Sequence, residues 1–226
     1  MLIEKKEFDC AKKAFSFWDK LTEEQQHFFA ENLYDVSYQK GDIIHNGAYS
    51  CIGVLLIKSG SLRVFMLSAE GKEITLYRLG PNDFCILSAS CILENITFDV
   101  CIEAEEDTQA LLIPASQYQK LIKQNIYAEN FTNTLLIDCF SNVMWAMEQL
   151  LFMRFDKRLA IFLLDELSRT GNPKISLTHE HIAKYMGSAR EVVSRMLKYF
   201  AKEGMIEMSR GGITILDKEK LRTLTI

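Results

Sequence analysis

The sequence has no glycine-rich phosphate cradle of the G-x-G-x-x-G or G-x-x-x-x-G-K-[ST] kind, no H-E-x-x-H pair and no G-x-S-x-G elbow. Nucleotide hydrolysis, zinc peptidase and serine hydrolase chemistry therefore lack their usual carriers, and no enzyme is expected. Prolines number three and no low-complexity tract occurs, so the composition is that of an ordinary soluble globular protein. Residues Met1–Glu7 alternate charged and apolar side chains, unlike a secretory leader. No segment reads as a membrane span, and a cytoplasmic location is expected. The six cysteines, at 10, 51, 85, 91, 101 and 139, form no C-x-x-C pair. That usage suits reduced thiols, with no structural disulfide, no metal site and no cofactor expected.

Net charge is small overall, but the charges are unevenly placed. The chain of 226 residues carries a net −4, yet from Phe155 to Ile226 there are 13 Lys and Arg against 9 Asp and Glu. The preceding part holds 13 basic and 21 acidic residues. A basic C-terminal part on an acidic chain fits contact with a phosphate backbone confined to that end.

Helical spacing over residues 1 to about 35 places Phe8, Ala11, Phe15 and Trp18 on one face, with Phe28, Phe29 and Leu33 after Thr22. From Tyr38 to Pro114 the texture changes to short apolar runs punctuated by Gly41, Gly47, Gly60, Gly71 and Gly80. Strands recurring at this interval predict an antiparallel sandwich or barrel. Tyr127 to Phe152 is helical, and Leu136, Phe140, Val143, Met147 and Leu150 repeat at four and three residues. Such a seam suits either a dimerisation helix or a helix lying on the sheet, and the first is favoured. A helix over Asp156–Ser168 stops at Gly171 and Pro173, after a hinge near Arg154–Asp156.

Ile175 to Ile215 carries the most information. Thr178 can cap a short helix burying Ile182 and Ala183, and Met186-Gly187 turns into a second helix capped by Ser188. Arg190, Glu191, Ser194, Arg195 and Lys198 share one polar face of that helix, opposite Ala189, Val193, Met196, Leu197 and Phe200. A helix seated in the major groove needs this division, because Arg reaches guanine acceptors while the apolar face anchors the helix to its domain. A solvated amphipathic helix would share the pattern, and Ser188 with Glu191 reads as an S-x-x-E capping box. Val192 stands between core packing and a thymine methyl. Gly204–Ile215 reads as a small hairpin, or wing.

Short helix, glycine turn, basic helix and wing, with the run Arg190-Glu191-Val192-Val193-Ser194-Arg195-Met196-Leu197-Lys198, resemble the superfamily of the cyclic-AMP receptor protein and the fumarate-nitrate reduction regulator. The resemblance covers nearly the whole chain. It implies an α+β protein: an effector-sensing β-roll of the cyclic-nucleotide-binding (jelly-roll) type over residues 1–125, a dimerisation helix over 126–154, and a winged helix-turn-helix over 155–226. It further implies a homodimer on a palindromic operator, with RNA polymerase as a partner. Glu191 and Arg195 would read base edges and Arg190 base or phosphate. Ser194 points to the fumarate-nitrate branch and TTGA-type half-sites. Thr178, His179, Lys184 and Lys198 are candidates for phosphate contacts.

In the roll the sequence departs from the cyclic-nucleotide pattern. The family's F-x-G-E-L stretch aligns with Phe84, Cys85, Leu87, Ser88, Ser90 and Cys91, and its Arg-Ser pair with Phe98-Asp99. Asp99 would meet a cyclic phosphate as like charge, so these residues are expected to line a pocket for an effector other than cyclic AMP. The iron-sulfur branch supplies a cysteine group near its N-terminus, where this chain has Cys10 alone.

Overall fold

The computed structural model of the chain describes residues 5–47, 51–92 and 99–226. They form two compact units, Met1–Met66 with Leu76–Val143, and Leu67–Thr75 with Met144–Ile226.

The first unit opens with helices α1 (Lys5–Ala14) and α2 (Glu23–Glu31). Thr22 caps α2 reciprocally with Gln25, the hydroxyl accepting from the Gln25 N–H at 3.2 Å. Eight strands follow: β1 (Tyr34–Tyr38), β2 (Ile43–Asn46), β3 (Gly53–Ser59), β4 (Leu62–Leu67), β5 (Glu73–Leu79), β6 (Phe84–Cys85), β7 (Cys101–Ala104) and β8 (Thr108–Pro114). They pair into two four-stranded sheets in the orders β1-β8-β3-β6 and β2-β7-β4-β5. Strand β3 explains why two layers are needed. Its run Val54-Leu55-Leu56-Ile57 is at most 1% exposed at every residue, so both faces of its sheet must be covered.

Leu55 and Ile57 turn inward with Ile44, Leu62, Val64, Cys85, Ile102 and Ala110. Val54 and Leu56 turn outward with Leu111 and Ile113, against Phe15, Phe17, Trp18 and Phe29 of the N-terminal segment. The period of two along β3 thus feeds two separate cores. Gly60 closes the β3–β4 hairpin at φ +85°, and a Cβ there would lie 2.6 Å from the Asp107 carbonyl oxygen. Any other residue would open that turn. Helix α3 (Ala115–Gln124) leads into α4 (Ile126–Phe152), and the two are tied by a 2.8 Å hydrogen bond between the Tyr118 and Thr132 hydroxyls.

Helix α4 bears unpaired apolar bulk. Ile137, Phe140, Met144, Met147 and Leu151 are 44–67% exposed, at spacings of three and four that form one stripe. By length and composition α4 could cross a membrane, which corrects the expectation that no segment could. Its sparse charges, Glu129, Asp138 and Glu148, leave long apolar windows between them. Of the seam residues named from sequence, Phe140 and Met147 lie on this stripe and are exposed. Val143 and Leu150 are half-buried and Leu136 packs onto the first unit's outer core.

In the second unit α5 (Phe155–Thr170) ends at Gly171 in the left-handed conformation, φ +64°. Strand β9 (Lys174–Ile175), α6 (His179–Met186), α7 (Arg190–Lys202), β10 (Ile206–Ser209), β11 (Gly212–Ile215) and α8 (Lys218–Thr223) complete it. The three strands pair in the order β10-β11-β9. Its core is Leu159, Leu163, Ile182, Val193, Leu197, Phe200, Ile213 and Leu221, all 0–1% exposed.

Candidate nucleic-acid interface

Helix α6 begins where the Thr178 hydroxyl accepts from the His181 N–H at 3.1 Å. It ends at Gly187, φ +57°, whose N–H returns to the helix carbonyls. The Arg158 guanidinium donates to the Met186 carbonyl. Burial lowers the pKa of Arg158, but a guanidinium starts so high that it stays charged. The turn is thereby held from both sides, by a backbone that requires glycine and by a cation on the helix C-terminus.

Helix α7 starts one residue later than the capping motif implies. Ala189 is its N-cap, extended at φ −83° and ψ 146°, and no side chain caps it. The expected Ser188–Glu191 capping box is therefore not formed. The Ser188 N–H closes the preceding turn on the Ala183 carbonyl at 3.0 Å, so the chain needs one more residue before it can enter the next helix. Glu191, exposed in the first turn of α7, is left facing outward.

Val193, Leu197 and Phe200 anchor α7 at 0% exposure. Arg190, Glu191, Arg195 and Lys198 are exposed on its other side, and Ser194 and Val192 are half-buried. Ala189, assigned from sequence to the apolar face, is exposed, because it precedes the helix. Among the described residues Arg190, Arg195 and Lys198 make no ion pair. His179 is half-buried, and its pKa is lowered by burial first and then by the charges of Arg190 and Lys198. The start of α6 and the polar face of α7 therefore converge on one positive surface. Thr178 belongs to that edge as the α6 cap. Lys184 stands apart, paired with Glu73 at 3.0 Å.

Two exposed groups beside this surface were not singled out from sequence. Tyr199, 46% exposed, lies four residues after Arg195 and so shares its stripe. Arg210 is exposed between β10 and β11, at the wing tip. The i, i+4 spacing pointed to Tyr199, while a lone Arg in a turn carries no pattern.

The residues expected to line an effector pocket are divided. Phe84 belongs to an aromatic cluster with Phe15 and Phe131, at ring separations of 4.8 and 5.1 Å. Its neighbour Cys85 faces the roll interior. Leu87 and Ser88 are buried, and the Ser88 hydroxyl donates to the carbonyls of Gly53 (2.6 Å) and Cys85 (2.8 Å). Asp99 is exposed. Phe98 and the side chains of Ser90 and Cys91 lie outside the described residues.

Inside the roll the Tyr77 hydroxyl meets Cys139 Sγ of α4 at 3.3 Å. Burial pushes the Cys85 thiol up to about 11 and the Cys139 thiol up as well. Two arginines of the second sheet are committed to carboxylates, Arg63 to Glu103 at 2.7 Å and Arg78 to Glu105 at 2.8 Å. Cys51 is disulfide-bonded, which corrects the expectation of reduced thiols throughout.

The chain matches the model of the Crp-like helix-turn-helix domain over residues 157–224 and that of the cyclic nucleotide-binding domain over residues 35–125. A crystal structure of a transcriptional regulator of the Crp/Fnr family from Eubacterium rectale is 49% identical, over 94% of this chain and 99% of that one, with a TM-score of 0.92. The cyclic AMP receptor protein of Thermus thermophilus is 27% identical over 169 residues, 75% of this chain and 77% of the relative. The transcriptional activator protein anr of Pseudomonas aeruginosa is 25% identical over 194 residues, 82% of this chain and 78% of the relative.

Proposed function

Because this chain belongs to the Crp/Fnr family of DNA-binding transcription regulators, we propose that it binds an inverted-repeat operator as a homodimer, under an effector other than cyclic AMP. The observation that carries the reading is the face of α7 on which Arg190, Glu191, Arg195 and Lys198 stand exposed over a fully buried apolar back. Arg195 reads a guanine edge. Glu191, not bound up in a cap, is available to a cytosine amino group. Arg190, His179, Thr178 and Lys198 set the register on the phosphates, joined by Arg210 and Tyr199.

Ser194 beside Arg195 favours TTGA-type half-sites, one helical turn apart on one face of the duplex. The apolar stripe of α4, Ile137 to Leu151, is covered by the same stripe of a second copy, which explains its exposure in the single chain better than a bilayer does. Residues 1–125 act as sensor, 126–154 as dimer helix and 155–226 as DNA-binding domain of a cytoplasmic regulator that engages RNA polymerase.

The apolar, thiol- and phenol-bearing interior of the roll, with Arg63 and Arg78 engaged elsewhere, supports an effector without a phosphate. It acts by binding one arrangement of the dimer more tightly than the other. Calorimetry with cyclic AMP and cyclic GMP is expected to give no micromolar binding, and such binding to either would overturn this part. The DNA reading is tested by Arg195→Ala, measured by fluorescence anisotropy on a duplex bearing the TTGA inverted repeat. Loss of about 1–3 kcal/mol, roughly 5- to 150-fold in affinity, is expected with the dimer intact by light scattering. Unchanged affinity would contradict it.

A further inference from the structure

The tip of the β4–β5 hairpin, Leu67–Thr75, belongs to the same compact unit as α6 and α7, and two of its residues act on the turn between those helices. The Glu73 carboxylate pairs with the Lys184 ammonium at 3.0 Å. Beside it, Ile74 Cγ1 comes within 3.1 Å of the point where a Cβ on Gly187 would sit. Lys184 lies in the last turn of α6 and Gly187 is the cap of that helix, so both contacts fall on the same few residues. The exposures differ in a telling way. The Glu73 side chain is 16% exposed, a positioned and largely desolvated carboxylate, while Lys184 is 47% exposed and accessible from outside.

A carboxylate held at 3.0 Å offers an ammonium what a phosphate oxygen would offer it, negative charge and a lone pair. One ammonium cannot serve both at full strength. The Ile74 side chain in turn lies against the glycine turn.

We propose that the hairpin tip is a built-in competitor for the DNA backbone: Glu73 holds Lys184 in place of a phosphate and Ile74 covers the Gly187 turn, so that displacing the tip strengthens DNA binding. The proposal rests on the reading above that the helix-turn-helix meets a duplex, and it adds Lys184 to the groups that face the phosphates once Glu73 lets it go.

The test uses the full chain and two labelled duplexes, one with the TTGA inverted repeat and one of mixed sequence, because a phosphate contact acts on both alike. Glu73→Gln removes the charge and keeps the shape. It is expected to raise affinity for both duplexes by about two- to fivefold, the range of a partly exposed ion pair. In a Lys184→Met background the same substitution is expected to change nothing. Ile74→Ala, which loosens the packing on Gly187 and leaves the charges in place, is expected to act in the same direction and serves if Glu73→Gln fails to fold. Wild-type affinity in both Glu73→Gln and Ile74→Ala would overturn the competitor. If at the same time Arg195→Ala weakened binding, the DNA reading would stand without it. Indifference to Arg195→Ala and Lys184→Met would sink the reading on which it rests.

Discussion

His179 sits half-buried where α6 begins, and its pKa is lowered by burial and by the charges of Arg190 and Lys198. In the unfolded chain it would titrate near 6.5. Since its folded value is depressed, its contribution to stability is full above the unfolded value and is lost as pH falls from there through the folded value. Proton NMR of the imidazole is expected to report a titration below the ordinary range, moving upward in Arg190→Ala. An unmoved titration would mean that the arginine does not face this histidine. The thiols are read in the same way. Cys85, pushed up to about 11 by burial, has almost no thiolate at neutral pH. Iodoacetamide at pH 7.5 is expected to spare it and Cys139 while labelling the less buried Cys10, read by mass spectrometry. Rapid labelling of Cys85 in the folded protein would contradict its burial.

The helix ends of the DNA-binding element show what a sequence can and cannot reveal. Thr178 and Gly187 were legible because each does one local task, a hydroxyl on an N–H two or three residues ahead and a left-handed turn. Ser188 misled because S-x-x-E fits a cap at 188 equally well, and the choice was made by the Ser188 N–H, which the Ala183 carbonyl takes up. The consequence is measurable by denaturant titration. Thr178→Ala is expected to cost about 1 kcal/mol, whereas Ser188→Ala is expected to cost under about 0.5 kcal/mol, as at a position that caps nothing. Equal costs would restore the capping box. Strand β3 and the wing were readable from glycine punctuation, but α3 and α8 (Ala115–Gln124 and Lys218–Thr223) were not assigned. The spacing of Ala115, Tyr118 and Leu121 was a usable signal for α3, whereas α8, six residues long with Leu221 buried, is too short to set a period. The face of α4 was legible as a heptad but displaced, since Leu136 is drawn into the first unit's own core and the free stripe begins at Ile137. Which of two apolar rows a helix leaves open depends on what packs beneath it, and that is a tertiary fact.

At the scale of the whole molecule, an acidic chain with a basic end and a helix of exposed Ile, Phe, Met and Leu fit the dimer proposed above. Phe140, 65% exposed, lies mid-stripe. Phe140→Glu is expected to convert a dimer to a monomer by light scattering and to weaken operator binding by at least tenfold, because each half-site then binds alone. A Phe140→Glu variant that stays dimeric would move the interface elsewhere.

The central claim, sequence-specific reading of an inverted repeat through α7, is tested most directly by selecting the full chain's preferred sites from a random duplex pool and sequencing them. Enrichment of two TTGA-like half-sites in inverted orientation, one helical turn apart, is expected, with the preference lost in Arg195→Ala. A pool that remains random, or a motif unchanged by that substitution, would contradict it.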